Sequence, residues 1–478
     1  MRKSRWGMLR TKIIVTIGPA SSDYDIVKSF LREGVSGFRI NFSHGDPKTW
    51  DKYLDIIKEA SRELNVYPAI IGDLRGPQLR IGDFNAFKVS KGDIVTLKYS
   101  PENKYFGEEK IIPINYSRLF EFLEVGDIIL LEDGRVRLRV EEAYVDHAKL
   151  IALDDAIIHP RKTLIVSRKE IELPTLTSSD IEAVKYAISR EFTYLALSYV
   201  HTPRDIVMLR DLLSRLGRDD IGIIAKIETR NAIKNLKSIV SEADAVIVAR
   251  GDLGMYYSLE EIPRLQKIII NESIKLGKPV LIATQLLESM VNNPQPTRSE
   301  VVDIMNAVFD SVDAVLLTNE TAIGKYPVES VKWLKKILRE AEKWFFEEGR
   351  EPVTRRIEPL NPREKYAKGL VLLAESIGSK ILVYTKTGLM PSRISKYRPS
   401  VQVYAGSSNE IIIRKLSLNY GVKPCYIESD KTLNYEEGID ILYKKLFTEH
   451  EISYGDIVLL TYGPREALLN VIKIVEVI

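Results

Sequence analysis

The sequence predicts an α/β protein built on a (β/α)8 TIM barrel, with a small β-barrel lid domain inserted and a C-terminal α/β open-sheet domain. Three observations predict this architecture. Eight short apolar runs alternate with helical patterns, one interval replaces helices with short alternating strands, and a second α/β segment follows a charged linker.

The eight apolar runs are rich in β-branched residues, and glycine, proline or polar turn residues bound each of them. They are 12–17, 37–41, 69–73, 194–199, 222–228, 245–249, 279–283 and 314–318. The helical patterns between most of them are 23–33, 50–64, 179–190, 203–216, 229–239, 259–276 and 298–309. Continuously apolar strands are typical of a parallel sheet that is covered on both faces.

The third run is followed by turn pairs such as Gly92-Asp93 and Gly126-Asp127 between short alternating strands, which predicts a β-rich insert. Beyond the barrel, strands are predicted at 380–384, 401–405, 422–427 and 457–460. The expected domains are an N-terminal arm at 1–9, the barrel at 10–76 and 174–345, the lid at 77–173 and the C-terminal effector-type domain at 346–478.

The bulk composition excludes several classes of protein. The 69 Lys+Arg and 66 Asp+Glu residues nearly balance at a net charge of +3, so no nucleic-acid partner is predicted. The clustered charges near the N-terminus, Arg2, Lys3, Arg5, Arg10 and Lys12, are interpreted as a solvated arm. No run approaches the ~18 apolar residues of a membrane span. A single cysteine, Cys425, excludes an internal disulfide and predicts a packed thiol in a cytoplasmic protein.

Polar side chains stand where several predicted strands end, and the C-terminal ends of the strands carry the active sites of barrel enzymes. Arg39, Asn41 and Ser43 share one face of the second strand, and Lys226 and Glu228 share one face of the fifth. Arg39 requires an anion, which is either a ligand or an internal carboxylate, and the pair of Lys226 with Glu228 is either functional or only a salt bridge.

The sixth strand leads to Asp252, which with Glu228 could hold Mg²⁺, because that ion takes one or two protein carboxylates and leaves positions for substrate. The seventh strand adds Thr284 and Gln285, and the eighth adds Thr318 to Thr321. Together these groups suit an anionic, metal-bridged substrate and phosphoryl transfer.

The chain resembles the pyruvate kinase family through many collinear motifs that cover the barrel from residue 12 to about 330. These include Arg39-Ile40-Asn41-Phe42-Ser43-His44-Gly45, Asp73-Leu74-Arg75-Gly76-Pro77, Lys226-Ile227-Glu228, Ala249-Arg250-Gly251-Asp252-Leu253-Gly254 and Ala283-Thr284-Gln285-Leu286-Leu287-Glu288-Ser289-Met290. The resemblance implies a magnesium-dependent cytoplasmic phosphotransferase that moves the phosphoryl group of phosphoenolpyruvate to ADP, giving pyruvate and ATP in the last step of glycolysis. A homotetramer is also implied, whereas the expectation of no membrane partner comes from the lack of a membrane-length apolar run.

The resemblance implies a role for each matching residue. Arg39 would bind the transferring phosphate, Lys226 would stabilise the transition state, and Thr284 would contact substrate and assist the proton relay. Glu228 and Asp252 would hold one Mg²⁺, with the Gly251 and Asp252 backbone facing the substrate carboxylate. A second Mg²⁺ would arrive with the nucleotide, whose implied contacts are Asn41, His44 and Arg80, and the lid would close over the cleft.

Several positions depart from the family pattern. Leu74 and Gln78 stand where the family often has Thr and Glu, so one ligand and one nearby charge are missing from a monovalent-cation site made of Asn41, Ser43 and Asp73. The hypothesis is therefore that this enzyme needs K⁺ weakly or not at all. Ser179 and Ile323 stand where nucleotide-site lysines are common, and Tyr256-Tyr257-Ser258 replaces the usual Glu-Ile-Pro.

In the C-terminal segment, Thr385-Lys386-Thr387-Gly388 resembles the phosphate-binding turn of the family's effector domain, whereas the final Gly-rich loop is replaced by Tyr462-Gly463-Pro464-Arg465. An allosteric ligand is therefore expected, and the sequence does not identify it.

Two rival functions remain open at this point. A barrel aldolase would use Lys226 as a Schiff-base amine on pyruvate, and a silent homologue would only bind metabolites or partners.

Overall fold

The fold is that of a computed structural model, which describes residues 9–132, 134–167, 169–171, 173–348, 352–429, 432–463 and 470–478. Arg2, Lys3, Arg5, Pro464 and Arg465 lie outside these residues. In the described part of the chain, no helix is both long enough and apolar enough to cross a bilayer.

The chain begins with three strands and two helices of the barrel, continues through the insert, and returns to the barrel. The first barrel elements are β1 (Lys12–Thr16), α1 (Tyr24–Arg32), β2 (Val35–Asn41), α2 (Pro47–Glu63) and β3 (Ala69–Asp73). The insert contains β4 (Phe87–Val89), β5 (Ile94–Tyr99), β6 (Ile111–Ile114), α3 (Leu119–Phe122), β7 (Ile128–Leu131), β8 (Val136–Ala143), β9 (His147–Ala152), β10 (Ala156–Ile158) and β11 (Ile165–Val166).

The second barrel part completes the alternation of strands and helices. Its elements are α4 (Ser178–Ile188), β12 (Tyr194–Leu197), α5 (Pro203–Arg215), β13 (Gly222–Ile227), α6 (Arg230–Lys234), α7 (Leu236–Glu242), β14 (Ala245–Ala249), α8 (Arg250–Tyr256), α9 (Ile262–Lys275), β15 (Val280–Ala283), α10 (Arg298–Phe309), β16 (Ala314–Leu317), α11 (Asn319–Ala322) and α12 (Pro327–Glu347).

The C-terminal region contains α13 (Pro362–Ser376), β17 (Lys380–Tyr384), α14 (Leu389–Lys396), β18 (Val403–Ser407), α15 (Glu410–Leu416), β19 (Val422–Tyr426), α16 (Tyr435–Thr448), β20 (Ile457–Tyr462) and β21 (Val471–Glu476). Its sheet has the order β19-β18-β17-β20-β21, in which only β21 pairs antiparallel. The pattern analysis predicted the first four of these strands and missed β21.

The eight predicted strands close into a parallel barrel in the order β1-β16-β15-β14-β13-β12-β3-β2, which confirms the main fold prediction. Because small and branched residues such as Ala196, Ile224, Ala245 and Leu281 are fully buried in one cluster, the inside of the barrel is a packed core. The larger cluster lies between the strands and the helices. Active-site side chains are therefore confined to the strand ends.

The insert forms a six-stranded sheet, β11-β7-β8-β9-β5-β6, and a two-stranded ribbon of β4 and β10, around its own hydrophobic core. It leaves the barrel after β3 and returns before α4. The insert is therefore attached at the strand ends where the chemistry was expected.

One predicted helix is divided in two. The pattern at 229–239 is two short helices, α6 and α7, that meet at Asn235. The Asn235 side chain donates a hydrogen bond to the His201 carbonyl oxygen at 2.9 Å. Asparagine competes for backbone hydrogen bonds in this way, which explains the break.

The interpretation of Arg10 and Lys12 as a solvated arm was wrong. Both are buried, with 7% and 6% of their surfaces exposed. Arg10 donates to the Ser400 carbonyl oxygen, and Lys12 Nζ donates to the Val422 carbonyl oxygen at 2.6 Å. The C-terminal domain covers this end of the barrel, so the carbonyl groups of that domain replace water around the two cations.

Candidate active site

Arg39 and Asp73 meet at the mouth of the barrel because β2 and β3 are neighbouring parallel strands, with Asn41 opposite Asp73 in the register. Arg39 Nε lies 2.6 Å from Asp73 Oδ2, and Arg39 Nη1 donates to Thr16 Oγ1 at 3.0 Å. The internal carboxylate that the sequence left as an alternative partner of Arg39 is therefore present.

Lys226 lies at the end of β13 among three carboxylates. Its Nζ is 2.8 Å from Glu228 Oε1 and 3.5 Å from Asp73 Oδ1, and it donates to Ser198 Oγ at 2.7 Å. Burial alone would lower the Lys226 pKa, but Asp73, Glu228 and Asp252 outweigh burial and raise it above its usual value. Lys226 is therefore a permanent cation.

The pKa of Asp73 is shifted in the opposite direction to that of Lys226. Burial alone would raise its pKa, but the charges of Lys226 and Arg39 outweigh burial and hold the pKa below its usual value. Asp73 therefore stays ionised between two cations, with one oxygen toward each.

Glu228 is completely buried and has one oxygen that the protein does not satisfy by hydrogen bonding. Its Oε2 accepts the Tyr199 backbone N–H at 2.7 Å. Its Oε1 is paired in charge with Lys226 but has no hydrogen-bond partner among the described residues. A buried oxygen of this kind is typical of a position completed by a ligand or metal ion.

Asp252 follows β14 and faces the same cavity as Glu228. Within the described ranges, no three His, Cys, Asp or Glu side chains converge on a common metal position. The two carboxylates fit Mg²⁺, because that ion is commonly bound by one or two protein carboxylates with substrate and water oxygens completing its shell.

The cavity between these side chains has a volume of about 290 Å³. It is lined by Arg39, Asn41, Ser43, His44, Asp73, Leu74, Arg75, Gln78, Arg80, Ser198, Tyr199, Lys226, Glu228 and Asp252. The structure thus brings together the predicted phosphate, metal, monovalent-cation and nucleotide residues. Thr284 and Gly251 are not part of this lining.

Thr284 and Gly251 form a separate contact beside the cavity. The Gly251 backbone N–H donates to Thr284 Oγ1 at 2.9 Å. Thr284 and Gln285 adopt positive φ angles of 69° and 53°, and Arg250 donates to the carbonyl oxygens of both residues. Positive φ at branched or bulky residues is strained, so the surrounding structure must hold this turn in place.

The predicted nucleotide residues lie where the barrel meets the insert. The Asn41 side chain accepts the Ser43 backbone N–H, and Trp50 donates to the His44 carbonyl oxygen at 2.8 Å. Arg80 donates to Gln78 Oε1 at 2.5 Å and to the Arg161 carbonyl oxygen of the insert at 3.1 Å. Both partners of Arg80 lie, like Arg80 itself, in the insert at 77–173.

Ser198 and Tyr199 were missed as site residues although they are the last two residues of the predicted run 194–199 and directly follow β12. Ser198 Oγ links Lys226 to the Leu74 carbonyl oxygen, to which it donates at 2.8 Å. Tyr199 has a φ of 54°, and its hydroxyl accepts a hydrogen bond from Gln78 Nε2 at 2.9 Å. The polar strand end that indicated Lys226 and Glu228 would have indicated these two residues as well.

The turn at Thr385-Lys386-Thr387-Gly388 lies far from this cavity in sequence, between β17 and α14. Thr385 Oγ1 accepts the Gly388 N–H at 2.9 Å, and Lys386 Nζ stacks 5.1 Å from the Tyr435 ring centroid. The loop Tyr462-Gly463-Pro464-Arg465 lies partly outside the described residues.

Comparison with known proteins finds matching family models, relatives and structures along nearly the whole chain. The family model "Pyruvate kinase, barrel domain" matches residues 8–331, and "Pyruvate kinase, alpha/beta domain" matches residues 364–475. A pyruvate kinase of Aeropyrum pernix is 37% identical over 93% of this chain and 94% of its own length. One of Thermotoga maritima is 35% identical over 98% of this chain and 100% of its own. The crystal structure of pyruvate kinase from Pyrobaculum aerophilum has a TM-score of 0.86 and 34% identity, covering 98% of this chain and 99% of that one.

Proposed function

The chain belongs to the pyruvate kinase family and is a phosphotransferase that makes pyruvate and ATP from phosphoenolpyruvate and ADP, and we propose that the cavity around Lys226 is where it does so. The observation that carries the proposal is the burial of Lys226 among Asp73, Glu228 and Asp252 at the barrel mouth. In the reaction, a terminal oxygen of ADP attacks phosphorus, the bond to the enolate oxygen breaks, and the enolate takes a proton on carbon.

Arg39 and Lys226 would supply the positive charge for this transfer. The phosphoryl group carries its charge on oxygens, and fixed cations stabilise the transition state most where water is excluded. Arg39 would hold the transferring phosphate, since Asp73 and Thr16 fix its guanidinium. Lys226 would meet the charge that grows on the bridging oxygen, and Thr284 would contact substrate near the carbon that accepts the proton.

Glu228 and Asp252 would hold the divalent ion, and Glu228 Oε1, which has no hydrogen-bond partner among the described residues, supports this assignment. When bound, Mg²⁺ would neutralise charge on the substrate oxygens. The backbone of Gly251 and Asp252 would face the substrate carboxylate. Tyr199 would keep Glu228 in place through its backbone N–H.

Asn41, His44 and Arg80 would contact ADP, which would bring a second Mg²⁺. The insert at 77–173 would act as a lid, because its residues Gln78 and Arg80 line the cavity. Lid closure would exclude water and so prevent hydrolysis of the transferring phosphate.

The charge state of Lys226 disfavours the aldolase alternative. A Schiff-base lysine needs a lowered pKa so that a neutral amine can attack a carbonyl carbon. The pKa of Lys226 is raised by its three carboxylate neighbours. Borohydride in the presence of pyruvate should therefore leave Lys226 unmodified.

We expect Lys226→Met to reduce phosphoryl transfer by about 10³-fold or more, because other transition-state cations contribute on this scale. A coupled assay of pyruvate formation measures kcat, and calorimetry measures phosphoenolpyruvate binding with Mg²⁺, which should largely persist. Lys278→Met, which alters a lysine before β15 at the other end of the barrel, is the matched control. A Lys226→Met enzyme with more than about a tenth of the parent kcat would refute the assigned role.

From the family we propose a homotetramer that acts in the cytoplasm. One structural feature supports the assembly, and a second supports the compartment. The edge strand β21 exposes Ile472 and Ile474 by 40% and 54%, which leaves an apolar sheet edge available for a second copy. Cys425 is a buried free thiol, as expected in a reducing compartment. Light scattering should give about four times the chain mass of 54.4 kDa, and a monomer mass would contradict the assembly.

A further inference from the structure

A second cavity, of about 400 Å³, lies at the opposite end of the barrel from the catalytic one. Its lining comes from the end of α2 and the residues before β3, from the residues before β12 and β13, and from α15 of the C-terminal domain. The lining residues are Lys58, Ser61, Arg62, Asn65, Val66, Tyr67, Glu191, Phe192, Thr193, Arg218, Glu410, Ile411 and Arg414. Among the described residues, none that lines the catalytic cavity also lines this one.

The most buried part of the lining contains an unsatisfied hydroxyl. Ser61, Phe192 and Thr193 are all buried. Thr193 Oγ1 accepts the Ile70 backbone N–H at 3.1 Å, whereas Ser61 Oγ has no hydrogen-bond partner among the described residues. A buried hydroxyl that lines a cavity and lacks a partner is a position at which a ligand oxygen gains a hydrogen bond.

The cations of the lining fall into two groups. Arg218 is held by Asp220 and by the carbonyl oxygens of Ile188 and Arg190, and Arg414 is held by Glu410 and the Pro68 carbonyl oxygen. These two guanidinium groups build the wall.

The other two cations stand at the entrance. Lys58 Nζ lies 3.3 Å from Glu191 Oε1 in a partly exposed pair, and the exposed Arg62 makes no ion pair with a described residue. Because an exposed ion pair contributes little free energy, Lys58 can leave Glu191 for a ligand anion at little cost, and Arg62 can bind the same anion.

The remaining lining is apolar or aromatic. Val66, Tyr67, Phe192 and Ile411 contribute these surfaces, and Tyr67 packs against Tyr426 of the C-terminal domain with ring centroids 5.2 Å apart. A cavity of this size with apolar walls and a few convergent polar groups is typical of a small-molecule site.

We propose that this cavity binds a small organic phosphate monoester. Its phosphate would pair with Arg62 and Lys58 and accept a hydrogen bond from Ser61, and its organic part would pack on Tyr67 and Ile411. A phosphate fits better than a monocarboxylate because it can satisfy two cations and a hydroxyl donor at once.

A ligand in this cavity would bridge the barrel and the C-terminal domain. The two are already joined here, since Arg414 Nη1 donates to the Pro68 carbonyl oxygen at 3.1 Å and Ser417 Oγ donates to the Tyr67 carbonyl oxygen at 2.8 Å. Residues 67 and 68 lead directly into β3, which ends at Asp73 in the catalytic cavity. Occupancy is therefore expected to stiffen this contact and raise the temperature of thermal unfolding.

The test is calorimetric titration of phenyl phosphate into the full chain, with pyruvate, ADP and Mg²⁺ present so that the catalytic cavity is filled by ligands that are not phosphate monoesters. We expect saturable binding that Arg62→Gln weakens about tenfold, the value of one charge-assisted hydrogen bond, and that Ser61→Ala weakens less. Lys386→Gln, in the turn between β17 and α14, is the matched control and should bind as the parent does. Benzyl alcohol, which has the ring without the phosphate, should not bind.

Three outcomes would overturn the proposal. They are the absence of saturable binding up to about 20 mM, binding that neither Arg62→Gln nor Ser61→Ala changes, and binding that Lys386→Gln abolishes. Arg62 is exposed, so its variant is expected to fold, and the unfolding temperature without ligand checks this. Because the titration measures no turnover, its result is independent of the roles assigned to the catalytic residues.

Discussion

At the scale of single residues, the decisive feature is that three of the side chains proposed to act in the reaction are each held by a second group. Lys226 is held by Ser198, Arg39 by Asp73 and Thr16, and Glu228 by the Tyr199 backbone. Fixed charges of this kind need little reorganisation during the reaction, which is the largest electrostatic advantage of an enzyme over water. The sequence left open that Arg39 and Lys226 only form structural ion pairs with carboxylates. These ion pairs are present, and they also hold the two cations in place.

Tyr199 illustrates this at a residue that no motif indicated. Its hydroxyl accepts from Gln78, and Gln78 accepts from Arg80, so the hydroxyl positions a guanidinium assigned to ADP. We expect Tyr199→Phe to raise the KM for ADP by about 3- to 10-fold, the worth of one neutral hydrogen bond, with little change in kcat or in the KM for phosphoenolpyruvate.

Steady-state kinetics with each substrate varied would measure this split. Tyr186→Phe removes a hydroxyl bound to Asp51 on the outer helices and serves as the control. An unchanged KM for ADP, or a loss confined to kcat, would contradict the positioning role of Tyr199.

At the scale of elements, the site is assembled from the turns that follow the strands. Two of these turns contain non-glycine residues with positive φ, Tyr199 after β12 and Thr284 with Gln285 after β15. Arg250 fixes the second turn while pairing with Asp303 of α10. Strain at these turns is tolerated because the closed barrel determines the positions of their ends. The barrel core thus supports the chemistry without contributing to it.

The turn after β3 also decides the expected dependence on K⁺. Leu74 offers no side-chain oxygen, Gln78 offers no charge, and Asp73 already has Arg39 and Lys226 beside its two oxygens. We therefore expect nearly full activity in a tetramethylammonium buffer with Mg²⁺ present. Loss of nearly all activity in that buffer, with recovery on adding K⁺, would show that Asn41, Ser43 and Asp73 do require the ion.

At the scale of the whole molecule, buried polar contacts join the barrel to the C-terminal domain. Asp313 receives two hydrogen bonds from Arg398, at 3.1 and 2.7 Å, and one from the Tyr420 backbone. Lys12 adds its bond to the Val422 carbonyl oxygen. Breaking such buried pairs leaves charges without partners, so the two domains are expected to unfold together.

Lys12 makes this contact dependent on pH. Burial lowers its pKa from 10.5 to about 8, against the attraction of Glu342 and Asp313. Between these two values the unfolded chain binds more protons than the folded chain, so the contribution of Lys12 to the free energy of unfolding rises with pH. The stability of the parent relative to Lys12→Met should increase by at most about 3 kcal/mol from about pH 7 to about pH 10.

Urea unfolding of both proteins across this range would measure the difference. Lys335→Met, at a half-buried pair with Glu33 on the outside of the barrel, should show no comparable trend and is the control. A constant difference between parent and Lys12→Met would mean that Lys12 titrates normally.

The sequence by itself determined the eight barrel strands, the position of the insert and the strand ends that carry Arg39, Lys226, Glu228 and Asp252. It could do so because hydrophobic periodicity is local and because parallel strands in a barrel point their carboxyl ends to one mouth. The family motifs also predicted the reaction from the sequence, because each motif is a contiguous stretch of the chain.

Only the tertiary structure decided the contacts between distant segments. The burial of Arg10 and Lys12 depends on carbonyl groups about 400 residues away, and the partner of Arg39 could be named only once β2 and β3 were adjacent. The cavity between α2 and α15 was likewise invisible in the pattern. Periodicity reports which face of an element is buried, whereas packing decides what that face meets.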